Sequence, residues 1–201
     1  DIEEFITCKS DNLTLTQFSI SVLVTDEFIQ AVKADSLFQL KFQGRVYKQV
    51  RARYLWDKIM RQTWDFAEPG VLFIDRINRK NNLWYCETIA ATNPCGEQPL
   101  PPHGACLLGS INLTKYVVFD EAGVAHFDEA QLVSDIPHIV PAMDNVVDRA
   151  IYPLPEQEQS AKSKRRMGLG YTGLANTGEV LGLKYGSPEF LVWHEKVAAL
   201  I

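Results

Sequence analysis

The chain has 201 residues, a length typical of one domain, and its 46% hydrophobic and 22% charged residues are ordinary for a globular protein. These proportions argue against intrinsic disorder. The formal charge of −5 provides no basic surface for nucleic acid, and no apolar run approaches the roughly 20 residues that a membrane helix needs. We therefore expect neither a nucleic acid nor a membrane among the partners.

The cysteines are too few and too irregularly spaced for a secreted disulfide scaffold: Cys8, Cys86, Cys95 and Cys106. There is no Cys-x-x-Cys pair and the histidines are scattered, so we expect no metal site. No signal peptide is visible, and a reducing, cytoplasmic location is predicted. The chain starts without Met and ends inside a predicted helix. We therefore expect residues 1–201 to be one partial domain, truncated at both ends.

The first half of the chain predicts helices and strands in turn. Thr25 can cap a helix that has two acidic residues in its first turn. Residues 38–42 alternate as in a half-buried strand, and apolar residues recur at helical spacing over 52–66. Residues 71–74 form a short apolar run, which indicates a strand buried on both faces.

The second half begins with a loop and continues mainly as helix. Residues 93–104 hold four prolines and two glycines, which predicts a loop or an extended finger. Residues 128–150 have helical periodicity, but two prolines predict a kink or two shorter helices. A helix rich in small residues is expected over 170–182, and Ser187 followed by Pro and Glu predicts another helix start. Strands that alternate with helices predict an α/β fold.

The most informative segment is 91–113. It places two cysteines, a carboxylate and an amide in a short stretch rich in Pro and Gly, an arrangement suited to thiol redox or radical chemistry. The segment resembles the active-site region of the ribonucleotide reductase catalytic chain, and more closely its adenosylcobalamin-dependent (class II) branch. Further segments resemble the family in the same order, although Ser19 replaces the usual Asn: 1–6, 18–22, 70–78, 144–148, 152–155, 165–170 and 173–175.

The resemblance implies a fold that periodicity alone does not reveal. The family's catalytic core is a ten-stranded α/β barrel, and its radical cysteine lies on a finger loop in the centre. This chain would supply a fragment of that barrel.

The resemblance also implies a role for three residues of the finger. Cys95 matches the thiyl-radical cysteine that removes a hydrogen atom from C3′ of the ribose. Glu97 matches the general base on the 3′-OH, and Asn93 matches the amide that holds the ribose hydroxyls. Without their neighbours, the three would be a small buried residue, a solvated carboxylate and a turn residue. An extended finger would place alternate side chains, and therefore all three, on one side.

Three further residues complete the implied site. Cys106 matches one of the two thiols that reduce the ribose and finish as a disulfide; its partner thiol lies upstream of Asp1 in the family. Ser21 and Gly96 are expected to contact the substrate together with Asn93. Cobalamin leaves no recognisable short motif, so its binding residues are not predicted.

Arg165 and Arg166 leave three alternatives open. They could contact phosphate, form a solvated basic patch or fix the packing of helices.

The family resemblance therefore predicts an enzyme that reduces ribonucleotides to 2′-deoxyribonucleotides for DNA synthesis, with adenosylcobalamin as the radical source. A class I large subunit, which binds no cofactor directly and receives its radical from a metal-containing partner subunit, is one alternative. A non-catalytic remnant or assembly segment of a split reductase is another. Expected partners are a ribonucleoside di- or triphosphate, a thioredoxin or glutaredoxin-type reductant and the remaining segments of the reductase. We expect the isolated chain to be inactive.

Overall fold

The computed structural model describes residues 1–11 and 13–201. The chain divides into two compact units, Asp1–Pro102 and His103–Ile201, each with its own core. The helices are α1 (Ile2–Thr7), α2 (Asp26–Lys33), α3 (Ala52–Phe66), α4 (Ile74–Arg79), α5 (Glu129–Arg149), α6 (Pro155–Lys164), α7 (Leu174–Val180) and α8 (Pro188–Leu200). The strands are β1 (Ser21–Val24), β2 (Leu37–Phe42), β3 (Arg45–Arg51), β4 (Gly70–Phe73), β5 (Ala91–Thr92), β6 (Pro99–Leu100), β7 (Leu107–Asn112), β8 (Val117–Phe119), β9 (Ala125–Phe127) and β10 (Met167–Thr172). The predicted α/β class is confirmed.

The core of the first unit contains one face of a parallel strand pair and the apolar faces of three helices. β1 and β4 pair in parallel along their whole length, and β2 and β3 form an antiparallel hairpin. Val22 and Val24 of β1 share the buried cluster with Phe28 of α2 and Ile59 of α3. Alternate residues of a strand point to opposite faces, so the other face of β1 is not part of this core.

The start of α2 and the end of α3 lie where the sequence predicts them. The Thr25 side chain accepts a hydrogen bond from the Phe28 backbone N–H at 3.1 Å, which caps α2. α3 spans Ala52–Phe66 and ends at Ala67, whose left-handed φ of 62° stops the helix just before Pro69. The strand predicted at residues 71–74 is present as β4 at Gly70–Phe73, and Ile74 already belongs to α4. The first three residues of β4 are half-buried and Phe73 is exposed. Burial on both faces was therefore a wrong expectation.

The second unit is built around a second parallel pair. β7 and β10 pair from Leu107 beside Met167 to Asn112 beside Thr172. Ile111 of β7 shares the buried cluster with Leu132 of α5 and Val197 of α8. Within the described residues the strands pair only two by two, so they do not close a barrel.

The prolines in residues 128–150 predict a kink or two shorter helices. The expectation of two helices is wrong, because α5 is one helix of 21 residues. Pro137 and Pro141 lie four residues apart, and both are exposed. They therefore occupy the same solvent-facing side of the helix. Water can bond the backbone carbonyls that the prolines leave without a donor, which lets the helix continue past them.

The helix expected over 170–182 begins later than predicted. Residues up to Thr172 belong to β10, and Gly173, with a φ of 72°, separates that strand from α7. The expected close packing is present, because a Cβ at Gly178 would lie 2.6 Å from the ring of Phe190. The start of α8 is confirmed: the Ser187 hydroxyl accepts from the Phe190 backbone N–H at 3.2 Å.

Within the described part of the chain, every helix is too short or too polar to cross a membrane.

Candidate functional site

The predicted finger is a short hairpin. β5 and β6 pair through Ala91 with Leu100 and Thr92 with Pro99, and the Ala90 N–H donates to the Leu100 carbonyl at 3.0 Å. The six residues that connect the strands hold the motif from Asn93 to Gln98.

The tip of the hairpin is a tight turn, so the extended conformation expected for the finger is wrong. The Asn93 carbonyl accepts a hydrogen bond from the Gly96 N–H at 3.0 Å, and Gly96 has a φ of 84°. Pro94 follows Asn93 in this turn, and proline is favoured there because its ring fixes φ near the required value. Cys95 is an exposed thiol at the tip.

The turn brings Asn93 and Glu97 together. The Asn93 side-chain amide donates to a carboxylate oxygen of Glu97, and its own carbonyl oxygen accepts from the Gln98 backbone N–H at 3.0 Å. The two side chains therefore meet across the turn rather than along one side of an extended strand. The Asn93 amide therefore binds both the Glu97 carboxylate and the backbone of Gln98, the residue directly before β6.

A groove of about 310 Å³ lies between this hairpin and the open face of the β1–β4 pair. Its lining includes Ser21, Leu23 and Leu72 from the strands, together with Asn93 and Pro94 from the hairpin. The structure thus brings Ser21 and Asn93, two of the predicted substrate-binding residues, into one groove. The lining extends along the hairpin to Pro94, the residue before Cys95.

Gly70 gives Ser21 the room that it occupies at the start of β1. A Cβ at Gly70 would lie 2.8 Å from the Ser21 hydroxyl oxygen. Ser21 and Leu23 share the face of β1 opposite to Val22 and Val24, which are buried in the core. This alternation along β1 is the sequence signal that could have identified Leu23 as a groove residue.

Sequence reasoning missed an ion pair that supports the other wall of the groove. Lys9 pairs with Glu68 and also donates to the Phe18 backbone carbonyl. The second carboxylate oxygen of Glu68 accepts from the Ile20 N–H at 3.2 Å. The pair therefore fixes the segment that contains Ser19, which lines the groove. No local sequence pattern predicts this ion pair, because Lys9 and Glu68 are far apart in the chain.

Cys106 belongs to the second unit, whereas Cys95 belongs to the first. Cys106 is half-buried directly before β7, and its thiol donates to the Leu107 carbonyl at 3.6 Å. A cavity of about 180 Å³ adjoins it and is lined mainly by apolar side chains, including Val147 and Tyr152.

Arg165 fixes helix packing, one of the three alternatives left open for it. Its guanidinium donates to Asp144 at 2.7 Å and to Asp148 at 2.8 Å, and also to the Asp144 backbone carbonyl at 3.0 Å. These hydrogen bonds lower the pKa of both carboxyl groups from the ordinary value of 3.8. Since Arg165 is the residue that ends α6, the contact ties the C-terminus of α6 to the last turns of α5.

The chain is similar to known proteins over its whole length. The family described as the ribonucleotide reductase barrel domain matches residues 1–201. A vitamin B12-dependent ribonucleoside-diphosphate reductase of Thermoplasma acidophilum is 40% identical over 100% of this chain and 26% of its own length. A protein of the same name from Mycobacterium tuberculosis is 38% identical over 94% of this chain and 27% of its own length.

A relative with a different name is also similar. The ribonucleoside-diphosphate reductase subunit alpha of Chlamydia pneumoniae is 30% identical over 78% of this chain and 15% of its own length. The chain spans about a quarter of the length of the two vitamin B12-dependent relatives. The match over every residue, with the motif hairpin inside it, shows that this chain belongs to the ribonucleotide reductase barrel domain family.

Proposed function

We propose that this chain is part of a ribonucleotide reductase that converts ribonucleotides to 2′-deoxyribonucleotides by a thiyl-radical mechanism. The observation that carries the proposal is the hairpin that holds Asn93, Cys95 and Glu97 beside a groove containing Ser21. A thiol, a carboxylate and an amide are the groups that this chemistry requires, and the hairpin that carries them contributes Asn93 and Pro94 to the lining of a cleft of nucleoside size.

The hairpin residues have distinct roles in the proposed reaction. The thiyl radical of Cys95 takes the hydrogen atom from C3′ of the ribose, and Glu97 accepts the proton of the 3′-OH. The ribosyl radical then loses the 2′-OH, which leaves as water with a proton from one of the reducing thiols, and Cys95 finally returns the hydrogen atom to C3′. Asn93 and Ser21 hold the ribose hydroxyls, and the Gly96 backbone allows the substrate to approach because it carries no side chain.

The reaction needs two electrons, which we assign to a pair of thiols that ends as a disulfide. Cys106 is one of the pair, and the other thiol is supplied by a segment of the intact protein outside this chain. A thioredoxin or glutaredoxin-type protein of the reducing cytoplasm then restores both thiols by disulfide exchange.

We further propose that the intact protein depends on adenosylcobalamin and acts on ribonucleoside diphosphates, as the names of the two vitamin B12-dependent relatives suggest. The groove of about 310 Å³ suits a nucleoside and does not enclose a corrin ring, so we assign no described residue of this chain to the cofactor. The Chlamydia pneumoniae relative is named as a subunit, which is the reason to retain the class I alternative, in which a partner subunit supplies the radical.

The test is a turnover assay on the intact reductase, with a ribonucleoside diphosphate and dithiothreitol, in the presence and absence of adenosylcobalamin. We expect deoxyribonucleotide only with the cofactor, and none from the Cys95→Ser variant. Product that needs a metal-radical subunit instead would favour class I. No product under either condition would favour the non-catalytic remnant.

A further inference from the structure

A side-chain amide joins α4 to the base of the motif hairpin. The Asn78 side-chain oxygen accepts from the Ile89 backbone N–H at 2.8 Å, and its nitrogen donates to the Ile89 carbonyl at 3.0 Å. The same nitrogen donates to the Ile74 carbonyl of α4 at 3.1 Å. Because a carbonyl only accepts and a backbone N–H only donates, these partners fix the orientation of the amide and use both of its hydrogens.

Ile89 lies at the point where the chain enters the hairpin. It is 4% exposed, so its backbone N–H and carbonyl need partners inside the protein, and Asn78 provides both. The next residue, Ala90, makes the first hydrogen bond of the hairpin, to the Leu100 carbonyl. The amide of Asn78 therefore anchors the hairpin at its base.

The other end of this connection leads to the groove. α4 follows β4 directly, and Leu72 of β4 lines the groove. Leu72 in the groove is therefore connected to the hairpin through α4, through the hydrogen bonds of Asn78 to Ile89, and through the chain that continues from Ile89. The tip itself is exposed at Cys95 and is held mainly by bonds within the hairpin.

We propose that Asn78 is a positioning residue that fixes the hairpin, and with it Cys95, against the groove that binds the ribose. This inference rests on the proposed function. Asn78 contacts Ile74 and Ile89 and acts on the reaction only through the hairpin. Hydrogen-atom transfer is sensitive to the placement of the reacting groups, and a misplacement of about 1 Å can reduce the rate about 100-fold.

The experiment compares three variants of the intact reductase: Asn78→Ala, Asn78→Asp and the matched control Asn81→Ala. Asp keeps the size of the side chain and the acceptor for the Ile89 N–H but cannot donate to the two carbonyls. Asn81 is also half-buried and makes two hydrogen bonds through its side chain, to the Leu83 N–H and to Glu87, in the loop after α4.

The first readout is amide hydrogen exchange over residues 90–98, which does not depend on activity. We expect exchange there to become about tenfold faster or more in both Asn78 variants, because the buried Ile89 carbonyl loses its donor in each of them and the Ile89 N–H also loses its acceptor in Asn78→Ala. Exchange over the same residues should stay as in the wild type in Asn81→Ala. Equal behaviour of the two alanine variants would overturn the inference.

The second readout is turnover with a substrate deuterated at C3′. We expect kcat to fall about 10-fold to 100-fold in the Asn78 variants, with little change in KM and a larger isotope effect on kcat/KM. A fall in activity with an unchanged isotope effect would mean only a loss of folded protein and would refute the positioning role. If Asn78→Ala does not fold, Asn78→Asp carries the same test.

Failure of the proposed function and failure of the role of Asn78 give different results. Wild-type turnover by Cys95→Ser would refute the proposed function while leaving the exchange result valid. An inactive Cys95→Ser together with wild-type exchange and isotope effects in the Asn78 variants would refute only the role of Asn78.

Discussion

The side chains of Asn93 and Glu97 meet at the tip of the hairpin, where the amide holds one carboxylate oxygen in place. The same amide accepts from the Gln98 N–H, so the position of Glu97 is tied to the shape of the turn. A base must lie within hydrogen-bond reach of the proton that it accepts. In the proposed reaction, the pair would therefore provide an oriented proton acceptor close to Cys95 in the sequence.

Replacing Glu97 with glutamine tests proton transfer while the size of the side chain stays the same. The Glu97→Gln side chain would keep an oxygen that accepts from Asn93, but it cannot take up a proton. We expect kcat of the intact reductase in this variant to fall about 10²-fold to 10⁴-fold, the usual contribution of a positioned base. Steady-state assays of deoxyribonucleotide formation measure this.

The control is Glu121→Gln, which changes an exposed carboxylate between β8 and β9 in the second unit and should leave kcat unchanged. Wild-type kcat in Glu97→Gln would remove Glu97 from the proposed reaction.

At the scale of the elements, the contact of Arg165 with Asp144 and Asp148 joins the end of α6 to α5. Both aspartates have a pKa below the ordinary 3.8 because Arg165 hydrogen-bonds their ionised forms. A carboxyl group whose pKa is lowered by folding adds stability above its ordinary pKa. That stability is lost as the pH falls through the lowered value.

We therefore expect the intact protein to lose thermal stability through this contact only in acid. The wild type should melt at a higher temperature than Arg165→Gln near pH 7, and the difference should shrink as the pH falls below 3.8. Melting curves recorded from about pH 7 to about pH 3 measure it. Arg149→Gln, which changes an exposed arginine in the last turn of α5, is the matched control and should show a smaller difference. A difference that persists at low pH would contradict the assignment.

Helix starts are predictable because their hydrogen bonds are local. Thr25 and Ser187 each cap a helix through a residue three positions later, so both signals lie within a few letters of sequence. The pairing of β7 with β10 is not predictable from pattern, since the partner strand lies far along the chain and Gly168 and Gly170 obscure its alternation. For the same reason the pattern predicts a helix over residues 170–172, which the structure places in a strand.

The candidate site is predictable in its residues but not in its shape. The family resemblance identifies Asn93, Cys95, Glu97 and Ser21, whose roles remain proposals. The Pro and Gly residues around Cys95 are compatible with a turn as well as with an extended finger, so they do not decide between the two. The hydrogen bonds between Asn78 and Ile89 are tertiary contacts between α4 and the chain that enters the hairpin, and no local sequence pattern predicts them.

At the scale of the whole molecule, both parallel pairs have only two strands within the described residues, so each strand presents an edge without a strand partner. Large apolar side chains are also exposed, among them Trp64 at 84% and Ile151 at 97%. Open strand edges and exposed apolar surface favour association between chains. Relatives about four times longer provide further segments that can cover such surface.

We expect the isolated chain of 201 residues to self-associate and to show no turnover. Size-exclusion chromatography with light scattering should report species larger than a monomer. The same chain within the intact reductase should instead elute as one defined species. A monodisperse, active monomer of the isolated chain would contradict this expectation.

The turn at the hairpin tip has a consequence for the entropy of binding. Pro94 has a fixed φ, and Gly96 adopts a conformation that costs glycine little. The hydrogen bond from the Gly96 N–H to the Asn93 carbonyl closes the turn over Pro94 and Cys95, and it restricts the Cys95 backbone when the protein folds, before a substrate arrives. In the proposed reaction, binding then has less disorder to remove at the Cys95 thiol, so more of the interaction of a ribose with Asn93 and Ser21 would remain as net affinity.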